Sequence, residues 1–151
     1  MAIVLDADIL STVNKYIGDA QERINNYSDA ISRARDRNLL SDEVGHYAHT
    51  VAYGVLEMLN LMANESRGYQ VLLASDDVDD NMRAVFVAQF TEAAMNLAEI
   101  MDNNGGHIDN AYEEVVTSGD PSVDVEAMSG ESMSRLYDNV VTATNALHEK
   151  D

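Results

Sequence analysis

Apolar residues recur along this chain at intervals of three and four, which is the period of a helix buried on one side. The pattern is cleanest at the start. Leu10, Val13, Ile17, Ala20, Ile24, Tyr27, Ile31 and Ala34 follow an alternating spacing, with Ile3 one heptad earlier. The positions between them are mostly Asp, Asn, Ser, Arg and Gln. A narrow stripe of this kind predicts a long amphipathic helix, and it continues for enough heptads to make a coiled-coil partner an option. Ala20 and Ala34 permit close approach, and Gly18 lies off the stripe. The helix is expected to end near Asn38, with Arg33, Arg35 and Arg37 in its last turns, where cations offset the negative end of the helix dipole.

Ser41 followed by Asp42 and Glu43 reads as a cap and first turn. The second helix is expected from Asp42 to Glu65, on a stripe of Val44, Ala48, Val51, Val55, Met58 and Met62 that Tyr47, Leu56, Leu59 and Leu61 widen. No charge lies between Glu43 and Glu57, so this helix is expected to be the most buried. Gly68 then breaks the pattern, and Tyr69 to Ala74 fits a helical turn or an irregular link better than a strand, since no second strand exists to pair with it. A third helix follows from about Asp79 to Asp102, with Met82, Phe86, Phe90, Ala93, Leu97 and Ile100 on its buried side. Asn103-Asn104-Gly105-Gly106 is a stop. Ile108 to Val116 predicts a short fourth helix ended by Ser118-Gly119. Asp120-Pro121 suits a cap and first-turn pair. The last helix is expected from Glu131 to His148, with a start as early as Ser122 if Ser129-Gly130 does not interrupt it.

Four long helices, one short one, short links and no strand imply a single all-α domain, an antiparallel bundle. The stripe of the first helix is clean enough to face either that bundle or another copy of the protein. Its residues Leu10, Val13, Ile17, Ile24, Tyr27 and Ile31, together with Arg33, Arg35 and Arg37, are therefore the candidate interface.

Charge changes the picture most. The chain of 151 residues holds 27 acidic and 9 basic side chains, a formal charge of −18, and its lysines are only Lys15 and Lys150. Such self-repulsion is tolerable under heavy salt screening, where the Debye length falls to about 3 Å at molar ionic strength. A protein adapted to concentrated salt is expected, from a halophile or one of its viruses. Single-sign acidity argues against direct nucleic-acid binding and against docking on an anionic membrane. With no cysteine, disulfides and thiolate chemistry are excluded. Asp6 and Asp8 fall where a signal peptide would carry its apolar core, and the longest uncharged stretch, Val44 to Leu56, is short of the ~20 residues of a membrane span. A cytoplasmic or virion location in high salt is expected.

Candidate chemistry is sparse. Glu43-x-x-His46 matches one half of the motif of di-iron carboxylate bundles, because residues three apart share a helix face, and His49 extends that face. A second such motif is missing, although Glu92 and Glu99 could add carboxylates. Packed, hydrogen-bonded histidines near a helix start are the simpler reading, and no cofactor is expected. Asp77-x-Asp79-x-Asn81 opens like a calcium loop, but Met82 replaces the required glycine and Ala88 the closing acid, so helix capping explains it better. The three arginines suit dipole compensation better than phosphate binding, though they could pair with acids on another subunit. There is no nucleophile elbow, phosphate-binding loop or dinucleotide glycine pattern.

The expectation is a non-catalytic helical assembly protein, a homo-oligomer or a component of a larger complex such as a virion adaptor, connector or capsid-associated subunit. The alternative is a ferritin-like metal-binding or oxidoreductase bundle using Glu43 and His46. A small-molecule pocket lined by Tyr53, Met58, Phe86 and Phe90 is a third option.

Overall fold

The computed structural model describes residues 6–75 and 78–148. The protein is all-α, with helices α1 (Ala7–Asp36), α2 (Asp42–Ala74), α3 (Asp80–Asn103), α4 (Gly105–Ser118) and α5 (Gly130–His148), and one 3₁₀ turn at Val125–Met128. Local chemistry sets most of the boundaries. Asp6, Ser41 and Asp79 each accept a hydrogen bond from the backbone N–H three residues on, satisfying a donor that the first helical turn leaves free. Asn38 takes a left-handed conformation (φ 58°). The N–H groups of Asn38 and Leu39 then donate to the carbonyls of Arg35 and Ala34, which closes the last turn of α1. Gly119, at φ 68°, ends α4.

α1, α2, α3 and α5 form a closed ring in which each packs on the next and α5 returns to α1. All four run antiparallel to their neighbours. Asn14 faces Ser66 and Gln70 while Gln21 faces Asn60, which fixes α1 against α2. Ser66, fully buried, donates to Asn14 at 2.6 Å, so its hydroxyl enters the core already satisfied. Along α2 the partners come at one register: Tyr69 with Phe86, Gly54 with Ile100, Tyr47 with His107 and Ser41 with Glu114. The last two partners belong to α4. The α3–α4 pair is therefore one broken rod laid along the whole of α2, and Asn104 is its single non-helical residue. The Asn-Asn-Gly-Gly stop interrupts the helix without redirecting the chain into a loop. The 3₁₀ turn then buries Ala127 and Met128 and lies against α1. An Arg37 to Asp120 ion pair at 2.8 Å ties α1 to the α4–α5 link.

Several expectations are corrected. α2 continues through Gly68 to Ala74. A helical glycine costs only about 1 kcal/mol relative to alanine, and the packing of Tyr69 on α3 outweighs that. α2 buries ten residues and α1 nine, yet α2 also exposes Tyr47, Tyr53, Leu61, Val71 and Leu72, whereas α1 exposes no large apolar side chain among the described residues. The stripe on α2 is wider than its neighbours can cover. Pro121 opens a turn, where Asp120 accepts from the Ser122 N–H, and α5 waits until Gly130. Ile3 lies outside the described residues.

The candidate interface on α1 is corrected most. Leu10, Val13, Ile17, Ile24, Tyr27 and Ile31 are at most 1% exposed, packed inside the chain's own bundle. Burying each such side chain is worth roughly 1.5–3 kcal/mol, so turning this face outward to meet another copy would cost the fold itself.

Candidate functional site

With α1 consumed internally, the apolar surface that remains is concentrated on α2 and α3. Eight of the ten exposed large apolar residues among the described residues lie there: Tyr47, Tyr53, Leu61, Val71, Leu72, Met82, Val85 and Met95. Tyr53 and Val71 are five helical turns apart and therefore share one face of α2, about 27 Å from end to end. Both are about two-thirds exposed.

Where the C-terminal part of α2 meets the start of α3, this surface becomes a groove of about 410 Å³. Gly68 helps to open it, since a Cβ there would meet nothing within 4 Å. Leu72, Met82 and Val85 form partly exposed walls, and Tyr69 and Phe86 lie stacked beneath, with ring centroids 4.6 Å apart and planes within 15°. Asn64, Glu65, Asn81 and Gln89 supply the polar margin. Asp79 and Asp80 open α3 immediately before Asn81. Asp79 caps the helix, and Asp80 accepts from Arg83 at 2.6 Å.

Tyr69 is only 3% exposed, yet its hydroxyl has no hydrogen-bond partner among the described residues. Desolvation by its immediate neighbours pushes the phenol above its ordinary value, partly opposed by Arg83 and reinforced by Asp80. A buried, neutral O–H donor without an acceptor is unusual enough to require an explanation.

A second cleft of about 590 Å³ lies where α3 ends, α4 begins and α5 begins. Met101, Ile108 and Met133 form an apolar floor, with Glu99, Asp102 and Asp109 among the lining residues. It has no orphaned polar group in its lining among the described residues.

The metal candidates do not converge. Glu43 and His46 are exposed near the start of α2. His46 lies edge-on to Tyr47, and His49 is half-buried beside Tyr53 with Nδ1 unpartnered. Among the described residues, no three His, Asp or Glu side chains come together as a ligand set. The capping role of Asp79 is observed directly, while Asp77 lies outside the described residues. The arginines separate too. Arg37 binds Asp120, whose carboxyl is held down to about 2 by its Ser122 and Arg37 hydrogen bonds. Arg35 lies across Gly45 of α2, and Arg33 stays exposed in the last turn of α1. Tyr53, Met58, Phe86 and Phe90 do not form one pocket. Phe86 stacks on Tyr69, sixteen residues or about 24 Å along α2 from Tyr53.

Sequence reasoning missed the groove because it stopped the second helix at Glu65. The signal was present, since Gly68 followed by Tyr-Gln-Val-Leu-Leu-Ala carries more apolar residues than a link needs. No helix among the described residues is long and apolar enough to cross a membrane. No family model, curated protein or solved structure matches this chain.

Proposed function

We propose that this protein is a non-catalytic helical assembly unit that associates through the outer face of α2 and α3. One observation carries the reading: exposed large apolar side chains gather on these two helices, while α1 has none among the described residues. Apolar surface gathered on one side of a bundle is the physical mark of a docking face. The acid excess supports a setting of concentrated salt. Only three carboxylates are in ion pairs among the described residues, with Arg37, Arg83 and Arg135. Pairing an acid with a base leaves the net charge unchanged, so the whole formal charge of −18 is left to solvent screening. A halophile, or a virus of one, is the source this composition suits, and a small virion component such as an adaptor, connector or capsid-associated subunit is one unit of this kind.

The test is light scattering in molar KCl across a concentration series, on the wild type and on a Leu61→Asp/Val71→Asp double variant. The wild type is expected to exceed monomer mass, and the variant to return to monomer with its helical circular dichroism intact. Monomeric wild type at its highest soluble concentration refutes the self-association required here.

A further inference from the structure

We propose that the groove between Gly68–Leu72 of α2 and Met82–Val85 of α3 binds a basic amphipathic helix of another protein, with the Tyr69 hydroxyl donating to an acceptor on that helix. This rests on the reading of α2 and α3 as the docking face and assigns one part of it a partner.

Three observations converge. The groove has the apolar walls that a helix stripe needs: Leu72, Met82 and Val85 are each 37–46% exposed around the stacked Tyr69 and Phe86 rings. Residues spaced three and four apart on a partner helix would fill it. The margin is net acidic. Glu65 lines the groove and no lysine or arginine does, and Asp79 and Asp80 stand at the adjoining start of α3, where Arg83 offsets one of them by pairing with Asp80. Lysines or arginines flanking the partner's apolar stripe would meet these carboxylates at contact distance, where salt screens least. The third observation is the Tyr69 hydroxyl, buried on the groove wall without an acceptor among the described residues. A side-chain amide or a free carbonyl near the end of a docked helix supplies one.

A second copy of this chain has only Lys15 and Lys150 as lysines and offers no lysine-rich helix to this margin, so self-association is left to the rest of the face, around Tyr53, Leu61 and Val71.

The probe is a Trp-labelled leucine–lysine amphipathic helix of about 18 residues, or five turns, with one glutamine beside its apolar stripe to supply the acceptor. Its fluorescence is unobscured, because this chain contains no tryptophan. Binding is measured in dilute and in molar KCl, alongside a leucine–glutamate counterpart, with hydrogen exchange to map the contact. Expected are binding of the lysine peptide alone, retention of part of the affinity in molar salt, and protection confined to residues 64–72 and 81–89. Leu72→Asp/Val85→Asp should weaken binding more than tenfold, on the order of a lost interface anchor. Tyr69→Phe, which keeps the ring stack, should weaken it about fivefold, the worth of one hydrogen bond.

Equal binding of the glutamate peptide, protection spread over the whole acidic surface, or indifference to Leu72→Asp/Val85→Asp overturns the proposal. So does self-association that Leu72→Asp/Val85→Asp abolishes, since it assigns the groove to a second copy. Self-association lost in Leu61→Asp/Val71→Asp but kept in Leu72→Asp/Val85→Asp, without peptide binding, sinks only this assignment and leaves the assembly reading standing.

Discussion

Replacing Tyr27 with phenylalanine should stabilise this protein. Tyr27 is fully buried in the middle of the α1 stripe, and its hydroxyl has no hydrogen-bond partner among the described residues. Burying an unpaired hydroxyl costs about 1–3 kcal/mol by mutational measures. Phenylalanine keeps the ring and its packing, and leaves a void of one oxygen that returns a fraction of the gain. The net expectation is about 1 kcal/mol, or about 2–4 °C in melting temperature for a chain of this size. The pH dependence provides an independent check. Burial pushes the phenol well above its ordinary value near 10. Below that value both folded and unfolded chains hold the proton, and the group contributes nothing to pH dependence. Above it the unfolded chain releases the proton while the folded chain keeps it, so stability falls as pH rises. The wild type should therefore lose up to roughly 1.4 kcal/mol per pH unit above pH 10 relative to Tyr27→Phe. Denaturant unfolding of both proteins in molar KCl, at neutral pH and along an alkaline series, measures both quantities. A variant less stable than wild type by about 1 kcal/mol at neutral pH, or parallel alkaline curves, would refute the argument and show that the hydroxyl has a buried acceptor.

Salt should act strongly. With so few carboxylates paired, the unfolding midpoint is expected to rise by roughly 10 °C or more from dilute buffer to molar KCl; a flat response in a thermal scan removes the case for a brine-adapted surface. Asp120→Asn should flatten the acid limb of stability. The Asp120 pKa is lowered from 3.8 to about 2 in the fold, so its contribution is complete above about pH 4 and disappears as pH falls toward 2. Acid titration followed by circular dichroism reads the difference. The glycines should separate by backbone and space. Gly18→Ala fills open space within α1 and should gain about 0.5–1 kcal/mol. Gly119→Ala must adopt φ 68° and should lose about 1 kcal/mol, both by denaturant unfolding.

The sequence by itself determined the helical class, four of the five helix starts to within three residues, and the stripe of α1. These follow from local rules: a 3–4 apolar period, a capping oxygen placed before the first turn at Ser41, and a glycine at position 119 where a left-handed residue closes α4. Tertiary structure decided how those pieces were used. The α1 stripe could have met another copy or its own bundle, because periodicity records that a face is buried but not against what. Gly68 could have ended a helix or sat within one, and the stacking of Tyr69 on Phe86 made continuation the cheaper course. Asn104 breaks a rod that α2 holds in register on both sides of the break, which no local signal reveals. The groove also depends on two helices meeting at one end of the bundle. Its walls come from Leu72 on one and Met82 and Val85 on the other, so neither segment's pattern contains it. Backbone hydrogen bonding and side-chain period act over a few residues and are written in the chain. Which apolar faces find cover is settled only when all the helices compete for the same core.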